Sequence, residues 1–254
     1  MQNERNIMKR QIDLFAQMIL ECENIVFFGG AGTSTESGVK DYRSQDGLYH
    51  TVQDYGVPPE VILSRSFFFQ HPDIFYDFYR KYFLIDAKPN DAHKSLAELE
   101  RIGKLKVVIT QNIDGLHQKA GSENVIELHG TANEFACCNC QKETLNTAVI
   151  SEIKKGKVPK CSYCSGVMKP KVVLYEEPLY DGVAEYTVSC ISQADMLIVG
   201  GTSLSVYPAA SFVEYFKGKY IVMINKSETG FDSKANLVIS ERIGEVFKEV
   251  MKLL

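Results

Sequence analysis

Short apolar runs recur along the chain and alternate with amphipathic segments. The runs lie at 25–28, 105–110, 125–128, 171–175, 196–200, 220–224 and 237–239. Because they show almost no polar alternation, they are typical of parallel strands that helices cover on both faces. Apolar residues at helical spacing predict one helix over residues 7–22 and a closing helix over 243–251. Strands that alternate with helices predict an α/β fold with a doubly wound, Rossmann-like parallel sheet.

Two stretches interrupt this rhythm. Residues 42–104 are rich in aromatic side chains and are predicted to be helical with loops, and residues 131–169 contain most of the cysteines. We interpret both as insertions that together form a smaller second domain, one part a helical module with loops, the other a cysteine-rich module. The remaining segments, 1–41, 105–130 and 170–254, are assigned to the Rossmann-like domain.

The composition is that of an ordinary folded protein. The chain has 254 residues, of which 45% are hydrophobic and 24% charged, and its formal net charge is -4. This composition excludes extensive disorder, and the lack of a basic excess argues against a stable nucleic-acid partner. No apolar run approaches the roughly 18 residues that a membrane span needs. The charged amino-terminal segment has no signal-peptide core, so we expect a cytoplasmic protein with no membrane contact.

The segment GGAGTSTESG follows the first predicted strand and precedes a predicted helix. Gly30 and Gly32 allow a tight turn and close backbone approach to a phosphate, which N–H groups at a helix start would also attract. Thr35 stands where a dehydrogenase fingerprint has its third glycine, and no acidic residue ends a nearby second strand. The segment predicts a nucleotide-binding turn, with a ligand-free strand-to-helix turn as the alternative.

Two cysteine pairs have the spacing of a structural zinc site. Cys137 and Cys140 form one pair, and Cys161 and Cys164 form the other after 20 intervening residues. Four thiolates close the tetrahedral coordination sphere of zinc, so the metal would be structural and not catalytic. Cys138 is interpreted as a bystander because a turn does not easily direct adjacent cysteines at one ion. A set of free or redox-active thiols is the alternative.

Chemically useful side chains follow several of the predicted strands. Ligands of open parallel sheets bind beyond the carboxyl ends of the strands, so we expect these residues to gather there. They are Gln111, Asn112, Ile113 and Asp114 after the second run; His129 after the third; Gly201, Thr202 and Ser203 after the fifth; and Asn225 after the sixth. His129 is the favoured base because it lies at a strand end, whereas His117, inside a predicted helix, is interpreted as structural.

Together these motifs resemble the sirtuins, a family of NAD-dependent protein deacylases. The matching segments are GAGTSTESGVKDYRS (30–44), QNIDGLH (111–117), LHG (128–130), the paired cysteines, VVLYEEPL (172–179), GTSLSVYPAA (201–210) and INKS (224–227). They occur in the family's order and span nearly the whole chain, which makes the resemblance highly specific.

The resemblance implies a role for each matching position. The pyrophosphate and its ribose would be held by Gly30, Ala31, Gly32, Thr35 and Arg43, and the adenosine half would contact Gly201, Thr202, Ser203 and Asn225. The nicotinamide ribose would contact Gln111. The nicotinamide pocket would be lined by Ile113 and Asp114 and bordered by Thr33 and Tyr42, with Asn112 a further cofactor-binding position. His129 would be the general base. The Val173 carbonyl would bind the acyl-lysine amide, and its strand, including Leu174 and Tyr175, would pair with the substrate peptide.

The implied reaction consumes NAD as a co-substrate, beside one structural zinc. A dry pocket would hold the nicotinamide twisted for departure, and the acyl oxygen of the substrate would attack the exposed sugar carbon. His129, neutral near pH 7, would then draw a proton from a ribose hydroxyl. The products would be free lysine, nicotinamide and 2'-O-acyl-ADP-ribose, formed from an acyl-lysine protein or peptide.

The chain departs from the sirtuin pattern at several positions. The family commonly has isoleucine at Thr33, proline at Lys40, phenylalanine at Tyr42 and Phe-Gly at Tyr175–Glu176. The departures at Thr33 and Tyr42 bear on nicotinamide sensitivity, and the one at Glu176 bears on peptide preference. Tyr82 stands where some sirtuins that remove acidic acyl groups have an arginine, three residues after a tyrosine such as Tyr79. We therefore expect neutral acyl groups to be preferred.

Two rival functions remain open at this stage. Mono-ADP-ribosyl transfer or NAD hydrolysis would use the same site, because the first chemical step is shared. His129 favours deacylation, since simple NAD hydrolysis does not need that ribose activation. A non-enzymatic zinc-ribbon binding module is the second rival, and it leaves the QNID segment and the position of His129 unexplained.

Overall fold

The computed structural model describes residues 2–41, 52–144 and 146–254. Its helices are α1 (Gln2–Glu21), α2 (Val52–Tyr55), α3 (Pro59–Ile62), α4 (Arg65–Gln70), α5 (Pro72–Tyr82), α6 (Asp91–Arg101), α7 (Leu116–Ala120), α8 (Asn146–Lys154), α9 (Val183–Gln193) and α10 (Ile243–Val250). Its strands are β1 (Ile25–Gly29), β2 (Leu105–Thr110), β3 (Val125–Glu127), β4 (Gly130–Cys137), β5 (Glu143–Thr144), β6 (Met168–Val172), β7 (Met196–Gly200), β8 (Tyr220–Ile224) and β9 (Leu237–Ile239). Within these residues, no helix combines the length and apolar character needed to cross a membrane.

A six-stranded parallel sheet forms the centre of the molecule. Its strand order is β3-β2-β1-β7-β8-β9, so the chain winds outward in both directions from β1. One face packs against α1, α6 and α10, and the other packs against α9 and the turns over 209–215. Every residue of β1 and β7 is buried, because helices cover both faces. The doubly wound α/β fold predicted from the apolar runs is confirmed.

A second, three-stranded antiparallel sheet has the order β5-β4-β6. The apolar run at 171–175 was expected to be a strand of the large sheet, and this expectation is wrong. Only its first two residues are in a strand, and that strand, β6, pairs with β4. The burial of β6 alternates along the strand, because only one of its faces meets a core.

The glycine-rich turn leads into two short 3-10 turns, Ala31–Thr33 and Thr35–Ser37, where the sequence predicted the start of a helix. Gly38 ends the second turn with a φ of 83°. A left-handed residue cannot continue a right-handed helix, so the chain leaves this point in a new direction. The phosphate-binding geometry expected at a long helix start is therefore replaced by compact turns.

Aromatic side chains of α4 and α5 form a second core with the small sheet. Phe68, Phe75 and Tyr79 are buried together with Phe135 of β4 and Met168 of β6. Helix α6 instead packs its buried face against the large sheet. The module boundaries at 41/42, 104/105, 130/131 and 169/170 stay predictions; strand β6 runs across the last of them.

Candidate active site and metal centre

Two loops approach each other closely at the carboxyl ends of the central strands. Gly29 of β1 is in register with Thr110 of β2 and Gly200 of β7, so the loops that follow these three strands all start at the same edge of the sheet. The Gly32 N–H donates to the Gly201 carbonyl over 2.8 Å. A Cβ atom on Gly32 would lie 2.7 Å from Gly201 Cα, and one on Gly201 would lie 2.2 Å from the Thr33 nitrogen. Both glycines are therefore required by loop packing.

A chain of side-chain hydrogen bonds connects three strand ends. The Gln111 amide donates to the Thr202 hydroxyl over 3.0 Å, and the Asn225 side-chain oxygen accepts from the Thr202 N–H over 2.9 Å. The Asn225 Nδ2 is buried and has no hydrogen-bond partner among the described residues. An orphaned donor of this kind costs free energy unless a ligand accepts from it, so the site fits a polar group such as a sugar hydroxyl.

Asp114 is fixed by donors from two loops. One of its carboxylate oxygens accepts from the Ser34 hydroxyl over 2.7 Å, and the other accepts from the Leu116 N–H over 2.9 Å. The Asn112 amide donates to the Ser34 hydroxyl oxygen over 2.9 Å. The carboxylate is therefore held in one orientation before any ligand arrives, while each oxygen keeps acceptor capacity.

Sequence reasoning missed Ser34 and His93, which lie behind Asp114. Ser34 is fully buried, and its hydroxyl lies 3.4 Å from Nε2 of the equally buried His93. The His93 ring packs against that of His117, with the centroids 4.6 Å apart. Ser34 could have been found from its place inside the glycine-rich segment, whereas no local signal identifies His93. His117 is buried in α7, and its interpretation as a structural residue stays a prediction.

His129 follows β3 and is half-buried. Its Nδ1 lies 3.0 Å from the Gln111 carbonyl oxygen. A carbonyl oxygen can only accept, so Nδ1 carries the proton and Nε2 presents a lone pair in the neutral ring. Burial lowers the pKa of His129, and the backbone contact to Gln111 opposes this only in part. The ring is therefore neutral at pH 7 and has the tautomer that a general base at Nε2 needs.

The proposed substrate strand connects directly to His129. The Val173 N–H donates to the His129 carbonyl over 2.8 Å, which places the end of β6 beside His129. Leu174 is buried against the aromatic core, and Tyr175 is exposed. On its other side, Tyr175 forms backbone hydrogen bonds to Leu63 and Arg65. The strand is thus held between the small sheet and the helical module.

The remaining expected cofactor positions lie in the turn after β1. Thr33 is fully buried, and its hydroxyl is 3.4 Å from the Gly200 carbonyl. The Thr35 hydroxyl donates to the Gly32 carbonyl over 3.0 Å. Gly30, Ala31 and Ser203 lie in the same two facing loops. Tyr42 and Arg43 lie outside the described residues.

The four paired cysteines converge on one point, as their spacing predicted. Their sulfur atoms all lie within 4.8 Å of one another. Cys137 and Cys164 lie 3.4 Å apart, and Cys140 and Cys161 lie 3.8 Å apart. Four sulfurs about 2.3 Å from a tetrahedral zinc are about 3.8 Å apart, so the cluster fits this ion. Cys138 is outside the cluster and keeps its interpretation as a bystander.

Backbone donors support the thiolate form of two of the four ligands. N–H groups of Cys140 and Asn139 lower the pKa of Cys137 to about 6. Those of Cys164 and Tyr163 lower the pKa of Cys161 in the same way. Gly166 leaves room for this packing, because a Cβ there would lie 2.8 Å from the Cys137 sulfur. The site is thus shaped for sulfur ligands and offers no open position for a substrate.

Comparison with known proteins identifies the family. Residues 30–208 match the model of the Sir2 family. An NAD-dependent protein deacetylase from Clostridium acetobutylicum is 51% identical over 243 residues, which cover 95% of this chain and 98% of the relative. A Sir2 structure with a deacetylated p53 peptide and 3'-O-acetyl-ADP-ribose superposes with a TM-score of 0.88 at 36% identity, covering 95% of this chain and 97% of the other. A Sir2 complex with p53 peptide and NAD+ has a TM-score of 0.84 at 36% identity, covering 94% and 96%. This chain belongs to the Sir2 family.

Proposed function

We propose that this protein is an NAD-dependent protein-lysine deacetylase. Its relatives at about half identity carry that name, and the similar Sir2 structures hold NAD, a p53 peptide or an acetylated ADP-ribose product. Its substrate is an acyl-lysine in a protein or peptide, as in the Sir2 structure bound to an acetylated peptide. We place this reaction in the cytoplasm.

The observation that carries the proposal is the pairing of His129 with the strand of Val173. The Gln111 carbonyl holds the proton on Nδ1, so the lone pair of Nε2 is available to a ribose hydroxyl. The Val173 N–H is bonded to the His129 backbone, and its carbonyl is proposed to accept the acyl-lysine N–H. One short segment then positions both the base and the acyl group.

The loops at the strand ends are proposed to hold NAD. Gly30, Ala31, Gly32 and Thr35 would surround the pyrophosphate together with Arg43, and the free Asn225 amide would donate to the adenosine half beside Gly201, Thr202 and Ser203. Gln111 would contact the nicotinamide ribose. Asp114, held by Ser34, would accept from the carboxamide, with Asn112, Ile113, Thr33 and Tyr42 completing the pocket.

In the reaction, NAD supplies the ADP-ribosyl group that takes up the acyl group. The residues of this chain orient both substrates, exclude water and move one proton. Asp114 and Ile113 hold the nicotinamide in the conformation from which it leaves. His129 Nε2 then removes the proton of the ribose hydroxyl that attacks the activated acyl carbon. Water completes the release of lysine and 2'-O-acyl-ADP-ribose.

The zinc site is proposed to be structural, with Cys137, Cys140, Cys161 and Cys164 as ligands. The site links the end of β4 to the turn over residues 161–166. The hydrophobic core that contains Cys137 and Cys161 also contains the aromatic side chains of α5. The metal would thereby support β6, from which the substrate strand continues.

Product analysis tests the proposed function. The protein is incubated with NAD and a peptide containing acetyl-lysine, and the products are identified by mass spectrometry. We expect nicotinamide, deacetylated peptide and O-acetyl-ADP-ribose in equal amounts. Free ADP-ribose without an acetylated form, or ADP-ribosylated peptide, would instead assign the site to NAD hydrolysis or ADP-ribosyl transfer.

A further inference from the structure

Glu176 adopts a backbone conformation that side chains rarely tolerate. Its φ is 75°, in the left-handed region. Sirtuins commonly have glycine at this position, where such a φ carries no steric cost. A glutamate retained there needs compensating contacts, and the structure shows them.

Two hydrogen bonds from Ser66 hold the Glu176 carboxylate. One oxygen accepts from the Ser66 N–H and the other from the Ser66 hydroxyl, each over 2.9 Å. The preceding residue, Tyr175, is itself paired with Leu63 and Arg65 through its backbone. The negative charge therefore occupies a defined position at the junction of the substrate strand and α4.

A groove of about 350 Å³ opens beside this carboxylate. Val61, Phe67 and Tyr175 supply apolar lining, and Glu60 adds a second acidic side chain to Glu176. The nearby Arg65 guanidinium lies over the Phe69 ring, 5.2 Å from its centroid. An apolar surface that ends in carboxylates is complementary to a long aliphatic side chain with a cationic head, as in lysine or arginine.

The groove is continuous with the proposed substrate strand. Tyr175 and Glu176 follow Val173 by two and three residues, and the Glu177 N–H donates to the Leu174 carbonyl over 3.0 Å, so the chain turns at Glu176. Three residues span at most about 10 Å, so the groove begins within this distance of Val173. The backbone groups of Leu174 and Tyr175 are already bonded within the chain. A peptide that binds the Val173 carbonyl would therefore reach the groove with side chains up to about three positions from the acyl-lysine.

We propose that Glu176 selects substrate peptides that carry a lysine or arginine on one side of the acyl-lysine. This inference rests on the proposed function, because it concerns the same peptide site. It adds a specificity-determining charge at a position where sirtuins commonly have no side chain. The occupant of the groove is a cationic side chain of the substrate itself.

Steady-state kinetics on a scanning peptide set tests the inference. Each peptide contains one acetyl-lysine in a neutral background, with lysine, glutamine or glutamate placed in turn at the three positions on either side. We expect kcat/KM to be about two- to fivefold higher for lysine than for glutamine on one side only. The preference should shrink as salt is added, because the contact is exposed.

Glu176→Gln is the decisive variant. Its amide can accept from the Ser66 N–H and donate to the Ser66 hydroxyl, so it removes the charge while retaining both contacts. We expect the position-dependent preference to disappear in this variant and in Glu176→Gly, which restores the common family residue. Glu241→Gln, which removes an exposed carboxylate elsewhere, should keep the parent's preference.

Two results would overturn the inference. If the parent deacetylates the peptides without a position-dependent charge preference, or if Glu176→Gln retains that preference, Glu176 is only a structural contact to α4. Absence of turnover on every peptide would overturn the proposed function, and the specificity with it.

Discussion

At the scale of single residues, the position of one proton determines what His129 can do. Its Nδ1 faces the Gln111 carbonyl, an acceptor that no side-chain substitution at position 111 removes. Burial lowers the pKa of the ring, so the Nε2 lone pair of this proposed base is free at pH 7. A surface histidine with the same sequence neighbours would have neither the fixed tautomer nor this protonation state.

Replacing His129 with alanine should abolish most deacetylation while leaving the fold intact. The loss of a general base typically lowers the rate by about 10²–10⁴-fold. Nicotinamide exchange should be less affected, because it precedes the step that needs the base. Turnover and exchange are measured on the same preparation, and thermal unfolding confirms that the variant is folded. Deacetylation at the parent's rate would exclude His129 as the base.

At the scale of elements, the two cysteine pairs convert separate turns into one metal site. One pair starts at the last residue of β4, the other precedes β6, and the two strands are paired with each other. Zinc therefore joins the ends of two paired strands in a small module that has little other regular structure. Its contribution is to the folding of the module and not to the chemistry.

Cysteine substitutions should separate the ligands from the bystander. Cys140→Ser should lose the zinc and destabilise the module, whereas Cys138→Ser should retain one zinc per chain, because Cys138 is outside the sulfur cluster. Metal content of the purified variants is the measurement, with the parent at one zinc per chain. Equal metal loss in both variants would make Cys138 part of the site.

The contact between α6 and α7 should make stability sensitive to acid. Burial lowers the pKa of His93 to about 4, opposed by Asp114, and the pKa of His117 to about 3. The native state then binds fewer protons than the unfolded chain, so the free energy of unfolding falls as the pH drops below about 6.5. Each histidine contributes a slope of up to about 1.4 kcal/mol per pH unit.

Denaturant unfolding between pH 7.5 and pH 5 measures this slope. His117→Leu, which has comparable volume and no titratable group, should show a shallower dependence on pH. His71→Leu, which removes an exposed histidine, should retain the parent's slope. A His117→Leu variant as acid-sensitive as the parent would mean that other groups cause the loss of stability.

At the scale of the whole molecule, the acyl pocket is expected between the parallel sheet and the small domain. The Tyr79 hydroxyl donates a hydrogen bond to the Ala132 carbonyl over 2.8 Å, so its proton is already engaged within the protein. Arg80 is paired with Asp77, and Lys81 is paired with Asp54 at 2.6 Å. These cations of α5 are therefore engaged with their own carboxylates, in line with the expected preference for neutral acyl groups.

Acetyl and butyryl groups should be removed at least about tenfold more efficiently than succinyl, because burying an unpaired carboxylate is costly. Glu176 adds a negative charge near the proposed substrate strand that follows β6. The Glu177 carboxylate is instead paired with the Lys169 ammonium, with Oε2 and Nζ 2.9 Å apart. The measurement is kcat/KM on one peptide sequence with the three acyl groups. Butyryl matches succinyl in length and so isolates the effect of charge. Equal efficiency on succinyl-lysine would mean that another cation lines the pocket.

The linear sequence was sufficient for the fold class, the convergence of the four cysteines and the strand-end motifs. Apolar runs reflect burial on both faces of a sheet, and paired cysteines reflect local turns, so both are visible in short segments. The apolar run at 171–175 was assigned to the wrong sheet for the same reason: its hydrophobicity reports burial but not the strand it pairs with.

Only the tertiary structure decided which groups meet across long distances in the chain. The contact of Ser34 with Asp114, the tautomer of His129 and the bonds between Glu176 and Ser66 join residues separated by 80, 18 and 110 positions. No local pattern encodes such contacts, because they depend on how packed elements place their loops. The same packing requires glycine at position 201, where a Cβ would meet the facing turn. The sequence names the chemical groups of the site, and their orientation follows from the packing of the loops that carry them.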